Sequence, residues 1–270
     1  MISMITTSFN SEPFIPSCVQ SILRQTYGDF EWIIVDDGSS DLTRDKIKKL
    51  TDPRIHLISA PRIGRGKALN IALRESQGSL VAIQDADDLS HPHRLSIQRE
   101  VMERHPEIEV LGAEAILIGD KRDSPPWDHV SLNEALPEIR DVTAALAYYN
   151  PLPHSGLMIR RQTLLNVNGY NEQRKNLYDL DLYVRLLERG CRFYRLSMPL
   201  LAKRIHPHQF FEKRDRLAYI WEGFLLEGKA IRCLHLNPLF YLALPVLMSY
   251  RCFPHNLRMG VRKVFTTRTS

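Results

Sequence analysis

Short apolar runs alternate along this chain with longer stretches in which apolar positions recur every three to four residues. Ile2 to Thr6, Phe30 to Val35, Ile55 to Ser59 and Leu80 to Gln84 are the short runs. They are followed by Phe14 to Arg24, Thr43 to Leu50, Lys67 to Glu75 and Arg94 to Glu103. Short runs without strict polar alternation predict strands covered on both faces, and the periodic stretches between them predict the helical crossovers that a parallel sheet requires. Pro13, the pair Ser40-Asp41 and His91-Pro92 mark three of the helix starts. A further strand is predicted over Val110 to Ile118. The fold class is therefore α/β, with a mostly parallel sheet flanked by helices.

Beyond that strand the pattern loosens. Gly119 to Leu136 is polar and contains Pro125-Pro126-Trp127, which predicts a long segment that is either a flap over a site or simply an ordered loop. A helical continuation to about Tyr149 is expected next, then a strand over Gly156 to Ile159 and a helix over Asp179 to Arg189. Two extended runs follow, Arg192 to Leu196 and Leu200 to Ile205, and then a helix over Glu212 to Ile231.

Composition narrows the class. A chain of 270 residues with 44% hydrophobic content is long enough for one large α/β domain with an appendage. The first apolar run begins at Ile2, which leaves no room for a secretory leader. Cys18, Cys191, Cys233 and Cys252 are far apart, with neither a Cys-x-x-Cys pair nor His-Glu-x-x-His, so zinc sites and disulfide frameworks are not expected and a reducing cytoplasm is. The net charge of +5 is carried by the tail. From Ile231 onward Arg232, Arg251, Arg258, Arg262, Lys263 and Arg268 face no acidic residue, so the first 230 residues are close to neutral. That distribution argues against a nucleic-acid groove across the fold. Leu236 to Met248 is apolar but spans 13 residues and contains Pro238 and Pro245, too short for the ~20 residues of a membrane-spanning helix. With the arginines around it, the tail suits either peripheral contact with an anionic cytoplasmic leaflet or packing onto the domain or a second subunit.

In open α/β sheets ligands bind at the carboxyl ends of the strands, so the residues that follow each strand are the ones to inspect. They are Thr7-Ser8-Phe9-Asn10, Asp36-Asp37-Gly38-Ser39, Gly64-Arg65-Gly66-Lys67 and Asp85-Ala86-Asp87-Asp88. Together they offer an aromatic face, a carboxylate for a base N–H, cations beside glycines for phosphate, and ligands for a hard metal ion. Taken alone, the aspartates of the second and fourth loops read more simply as solvated turns than as ligands. Gly66-Lys67 is not a Walker loop, because Pro61 and Ala68 stand where that motif needs Gly and Ser or Thr. No Gly-x-Gly-x-x-Gly follows the first strand, which removes the main reason to expect a dinucleotide enzyme.

The order of these loops resembles the inverting family 2 glycosyltransferases of GT-A fold, from Ile2 to about His208. Ser3 to Asn10 is similar to that family's opening strand, Ser21 to Tyr27 with Phe30 to Ser39 to its most recognisable segment, and Gly66 to Asn70 and Gln84 to Asp88 to the rest of the donor half. In the second half Pro153 to Arg161, Asn168 to Glu172, Tyr178-Asp179-Leu180-Asp181-Leu182 and Ala202 to His206 resemble family segments. The resemblance implies a GT-A type, Rossmann-like sheet over residues 1–210, with a donor half at 1–118, an acceptor half at 119–210, and a C-terminal helical extension at 211–270. It implies a nucleotide-sugar site of Thr7, Ser8, Phe9, Asn10, Asp36, Asp37, Lys67, Asp85, Ala86 and His154. Thr7, Phe9 and Asp37 would take the base, Lys67 the ribose or phosphates, and Asp85 the ribose or metal. Mn²⁺ or Mg²⁺ would sit at Asp85 and Asp87 with His206, and Asp179 would be the catalytic base.

Three positions depart from the family pattern: Thr6 or Thr7 stands for its proline, Phe9 for its tyrosine, and Tyr178 for the glutamate before the base. Asp181, two residues from Asp179 on a helix, points away from it and reads as a carboxylate favoured by the helix N-terminus. His154 is either a contact to acceptor or phosphate or a satisfied structural histidine, and His208 is given no role. The implied activity is transfer of a sugar from a nucleotide diphosphate, most simply a UDP-sugar, to a saccharide or glycolipid hydroxyl. A sugar nucleotidyltransferase and a non-catalytic nucleotide-sugar binder are the competing functions.

Overall fold

Strands β1 (Ile2–Ser8), β2 (Phe30–Asp37), β3 (Ile55–Ala60) and β4 (Leu80–Ile83) form a parallel half-sheet in which β1 lies between β2 and β4. The structure is a computed structural model and describes residues 1–120, 136–206 and 216–242, together with 125, 127, 244–246 and 249. The nine strands form one sheet in the order β3-β2-β1-β4-β8-β6-β9-β5, with β7 on β9. The other strands are β5 (Leu89–Ser90), β6 (Val110–Gly119), β7 (Ile139–Asp141), β8 (Met158–Arg160) and β9 (Phe193–Ile205). The helices are α1 (Ile15–Leu23), α2 (Thr43–Lys48), α3 (Arg65–Glu75), α4 (Arg94–Arg104), α5 (Arg161–Asn166), α6 (Tyr178–Leu187) and α7 (Arg216–Cys233).

The two-residue period of the strands divides the core. Ile5, Ile33, Val35, Val81 and Ile83 pack on one face with Ala68, Leu69 and Ala72 of α3 and Leu180 and Leu182 of α6. Their neighbours Ile2, Met4, Trp32, Ile34 and Ala82 pack on the other face with Ile15, Cys18, Val19 and Ile22 of α1 and Leu95 of α4. Trp32 is fully buried, and its Nε1 donates to Thr6 Oγ1 at 2.8 Å, so the one polar atom on that ring is satisfied inside the sheet. The chain runs from β1 outward to β3 and then returns to the other side of β1 as β4. The loops after β1 and β4 therefore flank a point where the topology reverses, which is where such sheets form a crevice.

Several expected elements are redrawn. Leu136 to Tyr149 does not continue as a helix: Ile139 and Asp141 pair with Leu196 and Tyr194 of β9, and a 3-10 turn follows over Thr143–Ala147, its first N–H held by Asp141 Oδ1 at 2.8 Å. The two runs expected at 192–205 are one strand, β9, which pairs in parallel with β6. Pro199, which has no N–H to give, is accommodated because the register shifts opposite Glu114, where a bulge replaces a regular ladder bond. Helix α3 starts at Arg65, two residues before the expected boundary. Of the segment 119–136 most lies outside the described residues. Trp127 packs against Leu89, Ile118 and Ala202 and presents its ring to the His91 ring edge-on at 5.0 Å.

The C-terminal extension packs on the body as far as it is described. Phe224, Ile231 and Leu244 gather around Ala147 and Tyr148, and Tyr241 donates its hydroxyl to Gly228 O at 3.2 Å. Among the described residues no helix is long and apolar enough to cross a membrane. His208 and the basic positions Arg251, Arg258, Arg262, Lys263 and Arg268 lie outside the described residues.

Candidate active site

Ile83 ends β4, and the five residues after it bring the carboxylates of Asp85, Asp87 and Asp88 together, one oxygen from each lying within 4.8 Å of the others. Two buried arginines shape this loop. Arg94 of α4 donates Nη2 to Ile83 O at 2.8 Å and Leu157 O at 3.0 Å, Nη1 to Gln84 Oε1 and Ser90 Oγ at 3.0 Å each, and Nε to Gln98 Oε1 at 3.0 Å. Gln84 in turn donates to the carbonyls of Asp85 and Asp88 at 3.0 and 2.9 Å. Arg204 of β9 grips the loop from the far side, its backbone N–H on Asp88 Oδ1 at 2.8 Å and its Nε on Asp87 O at 2.9 Å.

The three carboxylates are not equivalent. Asp88 is buried, with one oxygen taken by the Arg204 N–H and the other by the Ser155 hydroxyl. Burial, and then the charges of Asp87 and Asp85, push its carboxyl well above the usual carboxylate range. Burial acts on Asp85 in the same direction, but the Arg65 guanidinium and then the His154 ring outweigh it and hold that carboxyl well below its usual range. Asp85 and Asp87 are partly open to solvent, with 21% and 27% of their side-chain surfaces accessible. These residues fit a divalent cation: like charges converge, one acid is driven toward its neutral form, and two carboxylates remain reachable. His206, which closes β9, puts Nε2 3.0 Å from Asp87 Oδ2 and packs its ring 4.5 Å from that of Phe14, so it meets the cluster through Asp87.

The cation brought to this loop is Arg65. It pairs with Asp85, lies 3.3 Å from His154 Nδ1, and has a buried Nε without a hydrogen-bond partner among the described residues. Burial opposes its charge, but Asp85, Asp87 and Asp179 together raise its pKa. Lys67, which the sequence pattern singled out, stands exposed two residues further along α3. His154 is buried and bonded on both sides, its Nε2 2.9 Å from the Tyr170 hydroxyl. Tyr170 is held through its backbone by Asn70 of α3: its N–H meets Asn70 Oδ1 at 2.7 Å and its carbonyl meets Asn70 Nδ2 at 2.8 Å. Asn70, Tyr170 and His154, from segments that looked independent in sequence, thus make one connected support for Arg65 and Asp85.

Around the first two strand ends, Phe9 is 41% exposed and Arg62 lies over its ring at 3.5 Å. Asp37 is buried, takes the N–H groups of Ile63 and Gly64 on Oδ1 at 2.7 and 3.1 Å, and pairs with Arg62 through Oδ2. The aromatic face and the carboxylate expected to take a base are thus joined by one arginine. Thr7 is half-buried beside Phe9. Ser8 and Asp36 serve the turn itself, Ser8 Oγ donating to Asp36 Oδ1 at 3.3 Å and Ser39 Oγ to the same oxygen at 2.5 Å. Asn10, at φ 49°, accepts the Ser40 N–H at 2.9 Å. Ala86 is buried within the carboxylate loop.

Asp179 sits in the first turn of α6 and accepts Asn150 Nδ2 on Oδ2 at 2.5 Å. The segment that supplies Asn150 also supplies His154, whose Nδ1 lies 3.6 Å from Asp85 Oδ1. Asp181 is buried between Arg174 and Arg185, whose Nε atoms donate at 2.7 and 2.8 Å, so it braces α6 and faces away from the site. The sequence offered Arg65 only as one of two cations beside glycines, held Tyr170 and Arg204 only within family-like segments, and gave no role to Arg94 or Asn150. Between Arg65 and Lys67 the deciding feature is Gly64, whose φ of 94° sets the start of α3 and with it the direction of Arg65.

This mostly parallel sheet, with an acidic loop at the end of its fourth strand, defines an α/β protein with a cation-ready strand-end site, and comparison with known proteins supplies the class. Residues 3–167 match glycosyl transferase family 2, more than half of the chain, and the protein belongs to that family and is a glycosyltransferase. The O-antigen biosynthesis glycosyltransferase WbnJ of Escherichia coli is 30% identical over 228 residues, covering 81% of this chain and 84% of its own. The EpsE protein of Bacillus subtilis (strain 168), which carries a glycosyltransferase name, is 29% identical over 259 residues, 92% of this chain and 89% of its own. The solved structure of S. aureus TarS residues 1–349 in complex with UDP-GlcNAc superposes with a TM-score of 0.69 at 19% identity, over 93% of this chain and 72% of that one. The mannosyltransferase PcManGT from Pyrobaculum calidifontis, in complex with GDP-Man and Mn2+, gives 0.63 at 18% identity, over all of this chain and 80% of that one. At such identities the structures speak for the fold.

Proposed function

We propose that this protein is an inverting, metal-dependent glycosyltransferase that moves a sugar from a nucleotide diphosphate, a UDP-sugar first among the candidates, to a hydroxyl of a saccharide or lipid-linked saccharide during surface glycan assembly. The observation that carries this reading is the convergence of Asp85, Asp87 and Asp88 in the loop after β4, with Arg65 paired to Asp85 beside them. The name of WbnJ, which places that relative in O-antigen biosynthesis, supports the acceptor class. A second E. coli relative supports both donor and acceptor. It is named UDP-Glc:alpha-D-GlcNAc-diphosphoundecaprenol beta-1,3-glucosyltransferase WfgD and is 36% identical over 103 residues, 38% of this chain and 41% of its own.

In this reading Phe9 stacks on the base once Arg62 has left the ring, Thr7 and Asp37 meet its edge, and Asp36, Ser8, Asn10 and Ala86 shape the pocket. Asp85 and Asp87 hold the cation, with His206 orienting Asp87. When bound, Mn²⁺ or Mg²⁺ supplies charge neutralisation to the departing diphosphate. Arg65 and Lys67 lie on the first turn of α3, whose N-terminus itself favours phosphate oxygens. Transfer passes through an oxocarbenium-like state, and Asp179 takes the acceptor's proton from the opposite side, which inverts the anomeric carbon.

The tail, with its cations, is assigned to peripheral contact with an anionic leaflet. A panel of UDP-, GDP- and dTDP-sugars, followed by nucleotide release and thermal shift, tests the whole reading. One donor is expected to be turned over, with activity lost on chelation and restored by Mn²⁺ or Mg²⁺. Turnover unaffected by chelator would remove the cation from the reading, and binding without turnover would leave a nucleotide-sugar binder. Asp179→Asn is expected to reduce transfer to a small residual rate while leaving the nucleotide-induced thermal shift intact.

A further inference from the structure

Tyr178 precedes Asp179, so no second acidic residue lies beside it in sequence to set its orientation. The structure supplies a partner from 29 residues upstream: Asn150 Nδ2 donates to Asp179 Oδ2 at 2.5 Å. The amide cannot be turned round without loss, because its own Oδ1 accepts the Leu152 N–H at 3.1 Å and so leaves Nδ2 facing the carboxylate. Asp179 Oδ1 accepts the Leu180 N–H at 2.9 Å. The carboxylate is therefore held at both oxygens, once by its own helix and once by the 150–152 turn.

That turn is anchored. Leu152 is buried, and its carbonyl accepts the Tyr183 hydroxyl of α6 at 3.4 Å. Two residues on, the same segment presents His154 to Arg65 and to Asp85, so a single stretch of chain contacts both Asp85 and Asp179.

We propose that Asn150 is the positioning residue of the general base. It fixes Asp179 Oδ2 so that the remaining lone pairs of the carboxylate face the acceptor hydroxyl, in the place of the acidic neighbour that the chain lacks. The step it serves is balanced. The acceptor oxygen bonds to the anomeric carbon as its proton passes to Asp179, and the bond from that carbon to the diphosphate breaks with its electron pair leaving on the nucleotide. The inference rests on Asp179 as base.

The test measures kcat and donor KM by nucleotide release, with whichever member of the UDP-, GDP- and dTDP-sugar panel is turned over, for Asn150→Ala, Asn150→Asp, Asp179→Asn and the Asn150→Ala/Asp179→Asn double variant. Asn150→Ala is expected to lower kcat about tenfold, since base catalysis depends on alignment, with donor KM unchanged within about twofold. Asn150→Asp keeps the acceptor for the Leu152 N–H, and so keeps the turn folded, but offers Asp179 a repelling charge and no donor; it is expected to lose more than Asn150→Ala. In the Asp179→Asn background the Asn150→Ala change is expected to cost nothing further, the non-additivity of two residues acting as a unit. Wild-type kcat in both Asn150 variants, or an equal loss in the presence and absence of Asp179, would overturn the positioning role. Full activity of Asp179→Asn is a separate result, which would instead remove the base itself.

Discussion

Arg94 shows what a buried charge does at the scale of one residue. It is fully buried, and its guanidinium is spread over neutral acceptors from β4, the carboxylate loop, α4 and the segment before β8. Burial pushes its pKa down to about 10 against the raising effect of Asp88 and Asp85, and it remains charged at neutral pH. Replacing it by methionine strands buried acceptors, and Arg94→Met is expected to cost ~3 kcal/mol or more in urea unfolding. His91 gives the pH dependence. Burial, and then the His93 charge, lower its pKa from 6.5 to about 4, and its Nδ1 accepts the His93 N–H at 3.2 Å. The folded state thus favours the neutral ring, so stability is full above 6.5 and declines as pH falls from 6.5 toward about 4, while the unfolded chain takes up the proton. Thermal melts at pH 7 and 5 are expected to show the decline, and His91→Gln to lessen it. At this scale the sequence disclosed the acidic residues, because their spacing after an apolar run is local. It did not disclose which cation meets them. Arg65 and Lys67 differ by two steps of about 100° around α3, and a shift in the helix start decides which faces inward.

Elements behave differently, because their junctions are where distant motifs clasp one another. Gly169, at φ 63°, lies against Asn70, and a Cβ there would come 2.3 Å from Asn70 Oδ1, the atom that holds the Tyr170 N–H. Gly169→Ala is expected to cost ~2 kcal/mol in stability and to loosen the Tyr170–His154 contact. Gly28→Ala, where a Cβ would meet nothing within 4 Å, is the control and is expected to be near neutral. The strands and helices of the first 118 residues were legible from periodicity, since each is bounded by its own Pro, Gly or polar break. Those of residues 136–205 were less so. β7 forms only because β9 offers it an edge, and β9 stays continuous through Pro199 only because β6 accepts a bulge.

The whole molecule joins a near-neutral body to a basic end. On α7 the outward residues Leu217, Trp221 and Leu225 recur every fourth position and are followed by exposed Lys229 and Arg232, so an apolar ridge runs into the start of the cationic tail. Flotation with vesicles rich in anionic lipid is expected to recover the full chain and to lose the chain truncated after Tyr250, with the difference shrinking as salt rises. Equal recovery of both would dispose of the tail as the contact. The alternation of apolar runs, the acidic and aromatic residues that close each strand, and the placing of net charge in the last forty residues were all determined by the sequence alone, because each depends on neighbours within a few positions. The tertiary structure decided which arginine meets the carboxylates and how Asn70, Tyr170 and His154 are strung together. It also decided that Asn150 holds Asp179. Those contacts join residues far apart along the chain, and no local pattern encodes a partner that only the closing of the sheet brings within hydrogen-bonding distance.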